Sequence, residues 1–112
     1  MNGIIGLETS FAISKKTLVD TGILSPMQLV EKMSTNPARV LGIPKGTLSV
    51  GSCADICIAD PNETYVINDC FYSKANNSPF IGWKVQGQIK MTILDGRIVY
   101  RDGKLTSKEE LV

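Results

Sequence analysis

The chain carries three cysteines, eleven acidic residues, twelve basic residues and no histidine. Without an imidazole there is no Ser-His-Asp triad, no Cys-His pair and no histidine-based zinc site. Cys53 and Cys57 are separated by three residues, with Cys70 further on. A metal site needs more ligands than these, so the thiols are expected to be reduced and mostly buried, as in a cytoplasmic protein. The carboxylates available for acid–base work are Asp55 with Asp60, Asp69, and the pair Glu109-Glu110. On a regular strand Asp55 and Asp60 point to opposite faces, and each suits a turn or strand end better than a general acid. Glu109-Glu110 falls in a charged tail. No GxxxxGK[ST] and no GxGxxG after a strand is present, so no phosphate loop is expected. The sequons Asn62-Glu63-Thr64 and Asn76-Asn77-Ser78 would matter only on a secretory route. Taken alone, the residues describe an α+β chain with no visible chemistry.

Length and charge bound the remaining classes. A chain of 112 residues suits one domain with a modest core. A net charge of +1 offers no electrostatic case for nucleic acid or an anionic membrane. Lys15-Lys16 is the only basic pair and suits a solvated helix face. No apolar run approaches the roughly 20 residues that span a bilayer. "MNGIIGLETS" lacks the basic and apolar regions of a signal peptide.

The elements that would position any site follow from local pattern. Gly3 and Gly6 bracket two isoleucines, which suits a loop or strand end running close to another backbone. Residues 10–21 suit an amphipathic helix, with Phe11, Ile13, Leu18 and Val19 inward and Lys15, Lys16 and Asp20 outward. Gly22 fits the left-handed position behind it. In "SPMQLVEKMS", Ser25 caps, Pro26 opens the helix and Gln28 completes a capping box. In "NPARVLG", Asn36 caps a second short helix, Val40 and Leu41 bury, and Gly42 stops it. These two helices are expected to pack at an angle. Residues 54–59 read as a strand ended by Pro61, and 64–68 as a second strand. Residues 69–83 form an irregular loop pinned by Phe71, Tyr72, Phe80 and Trp83. Residues 84–101 read as a hairpin around Asp95-Gly96, with another turn at Asp102-Gly103. The remaining tail is expected to fray or to be weakly helical. Helices first and strands after imply segregated α and β parts.

Four stretches carry a resemblance: "GIIGLETS", "LVEKMSTNPARVLGI", "KGTLSVGSCADICIADP" and "FYSKANNSPFIGWKVQGQIKMTILDGRIVY". Together, over residues 3–103, they resemble the C-terminal part of bacterial dihydroorotases. "NPAR-x-LG" and "G-x-L-x-x-G-x-x-AD" are shared across the amidohydrolase superfamily, whereas "GLET" and "YSK…NSPFIGW" favour dihydroorotase over allantoinase and dihydropyrimidinase.

The resemblance implies an α+β fragment of a (β/α)8-barrel amidohydrolase. Residues 1–43 would close the barrel with a loop and its last helices. Residues 44–103 would supply the C-terminal strands of a small β-sandwich, and 104–112 a charged tail. A complete member interconverts N-carbamoyl-L-aspartate and L-dihydroorotate in pyrimidine synthesis at a zinc centre. Its metal ligands precede the region resembled, so this chain is expected to hold no catalytic residue, bind no metal and be inactive alone. The end of a substrate loop would fall at Asn2 and Gly3, where Met1-Asn2 departs from the family's usual Pro-Phe-Gly. The implied partners are the rest of the dihydroorotase chain or a second copy, and aspartate transcarbamoylase for the full-length protein; nucleic acid and membrane are not expected. The alternatives are a stand-alone assembly module using an apolar stripe on residues 27–41, or a piece of an inactive dihydroorotase-like subunit.

Overall fold

A computed structural model describes residues 3–106. Helix α1 (residues 10–19) runs as a regular turn, Ser10–Ser14, continued by a π turn, Lys15–Val19. A single 3-10 turn, Leu7–Thr9, leads into it. Ala12 and Lys15 are its buried residues, and Phe11, Ile13, Leu18 and Val19 are half-buried around them. Gly22 follows with φ of 82°.

Helix α2 (residues 26–41) starts as the local pattern predicts. The Ser25 hydroxyl accepts from the Gln28 amide at 3.2 Å, and the Gln28 side chain accepts from the Ser25 amide at 2.8 Å. The expectation of two helices at an angle is overturned: a π segment, Glu31–Thr35, carries one helix straight through Pro37. Asn36 keeps helical angles and its amide bonds the Glu31 carbonyl, so it caps nothing. Pro37 has no N–H to give the preceding turn, and its ring would crowd a carbonyl in α register. The wider π turn relieves both. Gly42 then closes α2 in the left-handed region, where its amide meets Arg39 at 3.2 Å and the Ile43 amide meets Ala38 at 3.1 Å. Val40 and Leu41 do not bury. They are 85% and 72% exposed, on a face that no described residue covers. Leu29 and Ala38 are the buried positions of α2, while Met27, Val30 and Met33 are exposed.

The strands form one antiparallel meander of four: β1 (Ile56–Val66), β2 (Lys84–Leu94), β3 (Arg97–Arg101) and β4 (Lys104–Leu105). Pro61 does not end β1. Between Asp60, opposite Gln88, and Thr64, opposite Gln86, residues 61–63 face only Gly87. Pro61 sits in this bulge, where no ladder hydrogen bond is asked of it. Both Asp-Gly turns form as expected, with φ positive at Asp95, Gly96, Asp102 and Gly103, the mirror-image turn that matches strand twist. Lys104 and Leu105 pair with Arg101 and Tyr100, so the expected tail begins inside the sheet. Residues 107–112, with Glu109-Glu110, lie outside the described residues.

Helix and sheet meet over Gly87. The β2 backbone there has φ of 124°, and a Cβ would lie 2.9 Å from Lys15 Cδ and 3.2 Å from Phe11 Cε1. Lys15 therefore does not point away. Its stem is buried across β2 and its ammonium reaches Asp20 at 2.8 Å. The core is small: Ala12, Ile67 and Val85, ringed by Ile13, Tyr65, Phe71 and Phe80.

Two outcomes follow. Gly87→Ala lowers the urea-unfolding stability by about 1–3 kcal/mol, through backbone strain and the clash with Lys15 and Phe11; an unchanged midpoint contradicts the packing described. With the apolar face of α2 and the sheet edges at β1 and β4 uncovered among the described residues, the isolated chain associates into dimers or larger species by light scattering. A clean monomer counts against it.

Candidate functional site

The residues nearest to chemistry divide into three groups. The first is Asp55 in the turn before β1. Its carboxylate accepts from Lys45 Nζ and, at 2.8 Å, from the Asp95 amide at the β2–β3 turn. Cys53 Sγ lies 3.4 Å away. The hydrogen bond from Lys45, then that from Asp95, holds the Asp55 pKa down to about 2. A carboxylate ionised and saturated in this way clamps a turn and cannot act as a general acid near neutrality. The same carboxylate raises the Cys53 thiol above its ordinary value, the opposite of an activated nucleophile. All three cysteines are exposed, because Cys53 and Cys70 lie in loops and Cys57 on the open face of an edge strand; the expectation of buried thiols is corrected.

Asp60 does not join Asp55. Its Oδ1 accepts the Asn62 amide at 2.9 Å within the β1 bulge. Asp69 lies beside Cys70, with Oδ1 3.8 Å from Sγ. Among the described residues no group of three or more cysteines, aspartates or glutamates converges as metal ligands would. The described residues do not fit a zinc centre.

The second group lines a cleft of about 610 Å³ between the start of α1 and the sheet, walled by Phe11, Tyr65, Ile67, Phe71, Val99 and Leu105. Its lining is chiefly apolar; Glu8 and Cys70 also border it, but Glu8 is hydrogen-bonded to Tyr72 and Ser73, and the Cys70 thiol lies beside Asp69.

The third group was not foreseen. Glu8, in the turn before α1, accepts the Tyr72 amide on Oε1 at 2.9 Å. Its Oε2 accepts the Ser73 amide at 3.1 Å and the Ser73 hydroxyl at 2.7 Å. Partial desolvation pushes its pKa up, but the Tyr72 and Ser73 hydrogen bonds outweigh that and the net shift is downward. Nearby, Asn77 Nδ2 donates to the Gly3 carbonyl at 2.8 Å, where Gly3 has φ of 106°. Asn2, the other expected substrate-loop residue, lies outside the described residues. The sequence offered no local sign of the Glu8 contact, since its partners are 64 and 65 residues away. The one available hint was that "GLET" and "YSK" carry the resemblance together.

A family model described as the Amidohydrolase family matches residues 2–99. The dihydroorotase of Syntrophus aciditrophicus (strain SB) is 50% identical over 102 residues, covering 90% of this chain and 24% of that protein. The dihydroorotase of Thermoanaerobacter sp. (strain X514) is 46% identical over 110 residues, covering 97% and 25%. Among solved structures, L-hydantoinase (dihydropyrimidinase) from Arthrobacter aurescens is similar with a TM-score of 0.87 and 38% identity, covering 95% of this chain and 24% of that one. The chain thus spans about a quarter of the length of the curated relatives it matches.

Because the folded pKa of Glu8 lies below the ordinary 4.5, its contribution is fully present above pH 4.5 and is lost as pH falls through the folded value. Urea midpoints of the chain and of Glu8→Gln, measured from pH 7 down to about pH 3, therefore differ most at the upper end and converge in acid. A constant difference removes the carboxylate from the explanation.

Proposed function

The chain belongs to the amidohydrolase family, and on that premise we propose that it forms the C-terminal part of a dihydroorotase. In that reading α1 and α2 are the last helices against a (β/α)8 barrel, and β1–β4 are strands of a small β-sandwich. The observation that carries it is the 50% identity to the Syntrophus aciditrophicus dihydroorotase over 90% of the chain. The two stretches most specific in the resemblance, "GLET" and "FYSK", are also joined in space through Glu8.

The reaction of the whole protein is then the reversible closure of N-carbamoyl-L-aspartate to L-dihydroorotate, in pyrimidine synthesis in the cytoplasm. The family is generally metal-dependent. With no histidine in the chain and no ligand cluster among the described residues, zinc belongs to the remaining three quarters of the protein. This chain's own work is structural: it covers the barrel with α1 and α2, and ends the substrate loop through the backbone of Asn2 and Gly3. Its partners are the rest of that chain or another copy, with aspartate transcarbamoylase a partner of the full-length protein. The exposure of Met27, Val30, Val40 and Leu41 on α2 supports this, since clustered exposed apolar side chains commonly mark a contact surface.

Two measurements test the reading. The chain alone, with or without added zinc, shows no hydrolysis of dihydroorotate. A chimera in which it replaces the matching quarter of the Syntrophus aciditrophicus dihydroorotase folds, loads metal and turns over dihydroorotate within about tenfold of the parent. A folded, metal-loaded chimera without turnover, or one that prefers hydantoin, defeats the dihydroorotase assignment. Zinc-dependent turnover by the chain alone defeats its inactivity.

A further inference from the structure

The segment 3–8 presents a problem of support. Ile4 is 62% exposed and Leu7 is 91% exposed, Gly3 and Gly6 have no side chain, and only Ile5 is half-buried. Apolar burial does not hold it. Polar contacts to the aromatic loop do. Glu8 accepts three hydrogen bonds from Tyr72 and Ser73, and Asn77 Nδ2 donates to the Gly3 carbonyl. These sit at the two ends of the segment, while between them Thr9 and the Ser10 hydroxyl donate to the Gly6 and Leu7 carbonyls, so its course is set jointly by the loop and the start of α1.

The loop is itself braced. Its neck is closed by the Ile67 amide on the Trp83 carbonyl at 3.0 Å and the Gly82 amide on the Ile67 carbonyl at 2.7 Å. Phe71 and Phe80 pack on the core, and Phe80 meets Trp83 edge-on at 5.1 Å. The Tyr72 hydroxyl donates to the Gly103 carbonyl at 2.6 Å, fixing the loop to the β3–β4 turn. A rigid sheet, a braced loop and two polar clamps thus form one continuous support.

We propose that Glu8 and Asn77 are positioning residues, clamping segment 3–8 onto the aromatic loop so that the sheet sets the path of the backbone entering the substrate region. The placement at a substrate region rests on the dihydroorotase reading above; the clamp does not. Hydrogen–deuterium exchange and limited proteolysis on the 112-residue chain test the clamp. Glu8→Gln speeds exchange at least about tenfold in peptides covering Tyr72 and Ser73, whose amides it holds, and Asn77→Ala speeds limited proteolysis within 3–8 at least about tenfold. Asn77→Ala alters one half-buried side chain and keeps the test open if Glu8→Gln folds poorly. Unchanged exchange at Tyr72 and Ser73, or unchanged proteolysis within 3–8, overturns the proposal. In the chimera, either substitution raises KM for dihydroorotate roughly tenfold with kcat within about twofold. A wild-type KM in a chimera whose exchange or proteolysis has quickened overturns the positioning role. If the unsubstituted chimera is inactive, the dihydroorotase reading fails and the exchange and proteolysis results alone decide the clamp.

Discussion

A single carboxylate at the head of the first helix joins the two halves of this chain. Glu8 accepts from consecutive backbone amides and a hydroxyl of a loop more than sixty residues away. Charge-assisted hydrogen bonds of this kind are shorter and stronger than neutral ones. Here they act where apolar burial is scarce. With the loop held, Phe71 can lie against Ala12, Ile67 and Val85, and the core gains the aromatic cover that its small residues need. Tyr72 is thereby placed to reach the β3–β4 turn.

The helix–sheet contact depends on a second constraint, the room made by Gly87. The bulge at residues 61–63 leaves β1 with more backbone than its partner, which bends the ladder where α1 crosses it. A side chain at position 87 would collide with Lys15 and Phe11, so only glycine allows the helix this close. Lys15 covers the gap with its stem and satisfies its charge on Asp20. At the far end of the sheet, Asp55 does for the β2–β3 turn what Glu8 does for the loop. It accepts from a turn amide while a lysine balances its charge.

What these contacts build leaves large apolar side chains exposed among the described residues. The buried apolar residues among those described are few: Ala12, Leu29, Ala38, Ile67 and Val85. Others of comparable or larger size, such as Met27, Val40 and Leu41, are exposed. Membership of the amidohydrolase family, and a length about a quarter that of its curated relatives, give this imbalance a physical sense. On α2 the described residues cover Leu29 and Ala38 and leave Met27, Val40 and Leu41 exposed.

Local chemistry was readable where it is local. The capping box at Ser25, the left-handed Gly22 and Gly42, and both Asp-Gly turns form as their residues dictate, because each depends on neighbours within a few positions. The family resemblance was readable too, in the quoted stretches. Pro37 and Pro61 were misread for a common reason. Pro37 suits the first turn of a new helix and Pro61 the end of a strand, but a π turn carries the helix through the first and a bulge accommodates the second. Lys15 was misread because burial of a lysine stem depends on a glycine in another strand. The residue types by themselves determined that no histidine chemistry lies in this chain, and where most helices and turns begin. Only the tertiary structure decided which faces are covered, how the prolines are accommodated, and that Glu8 holds Tyr72 and Ser73. Those outcomes are set by contacts between residues distant in the chain, which no local pattern encodes.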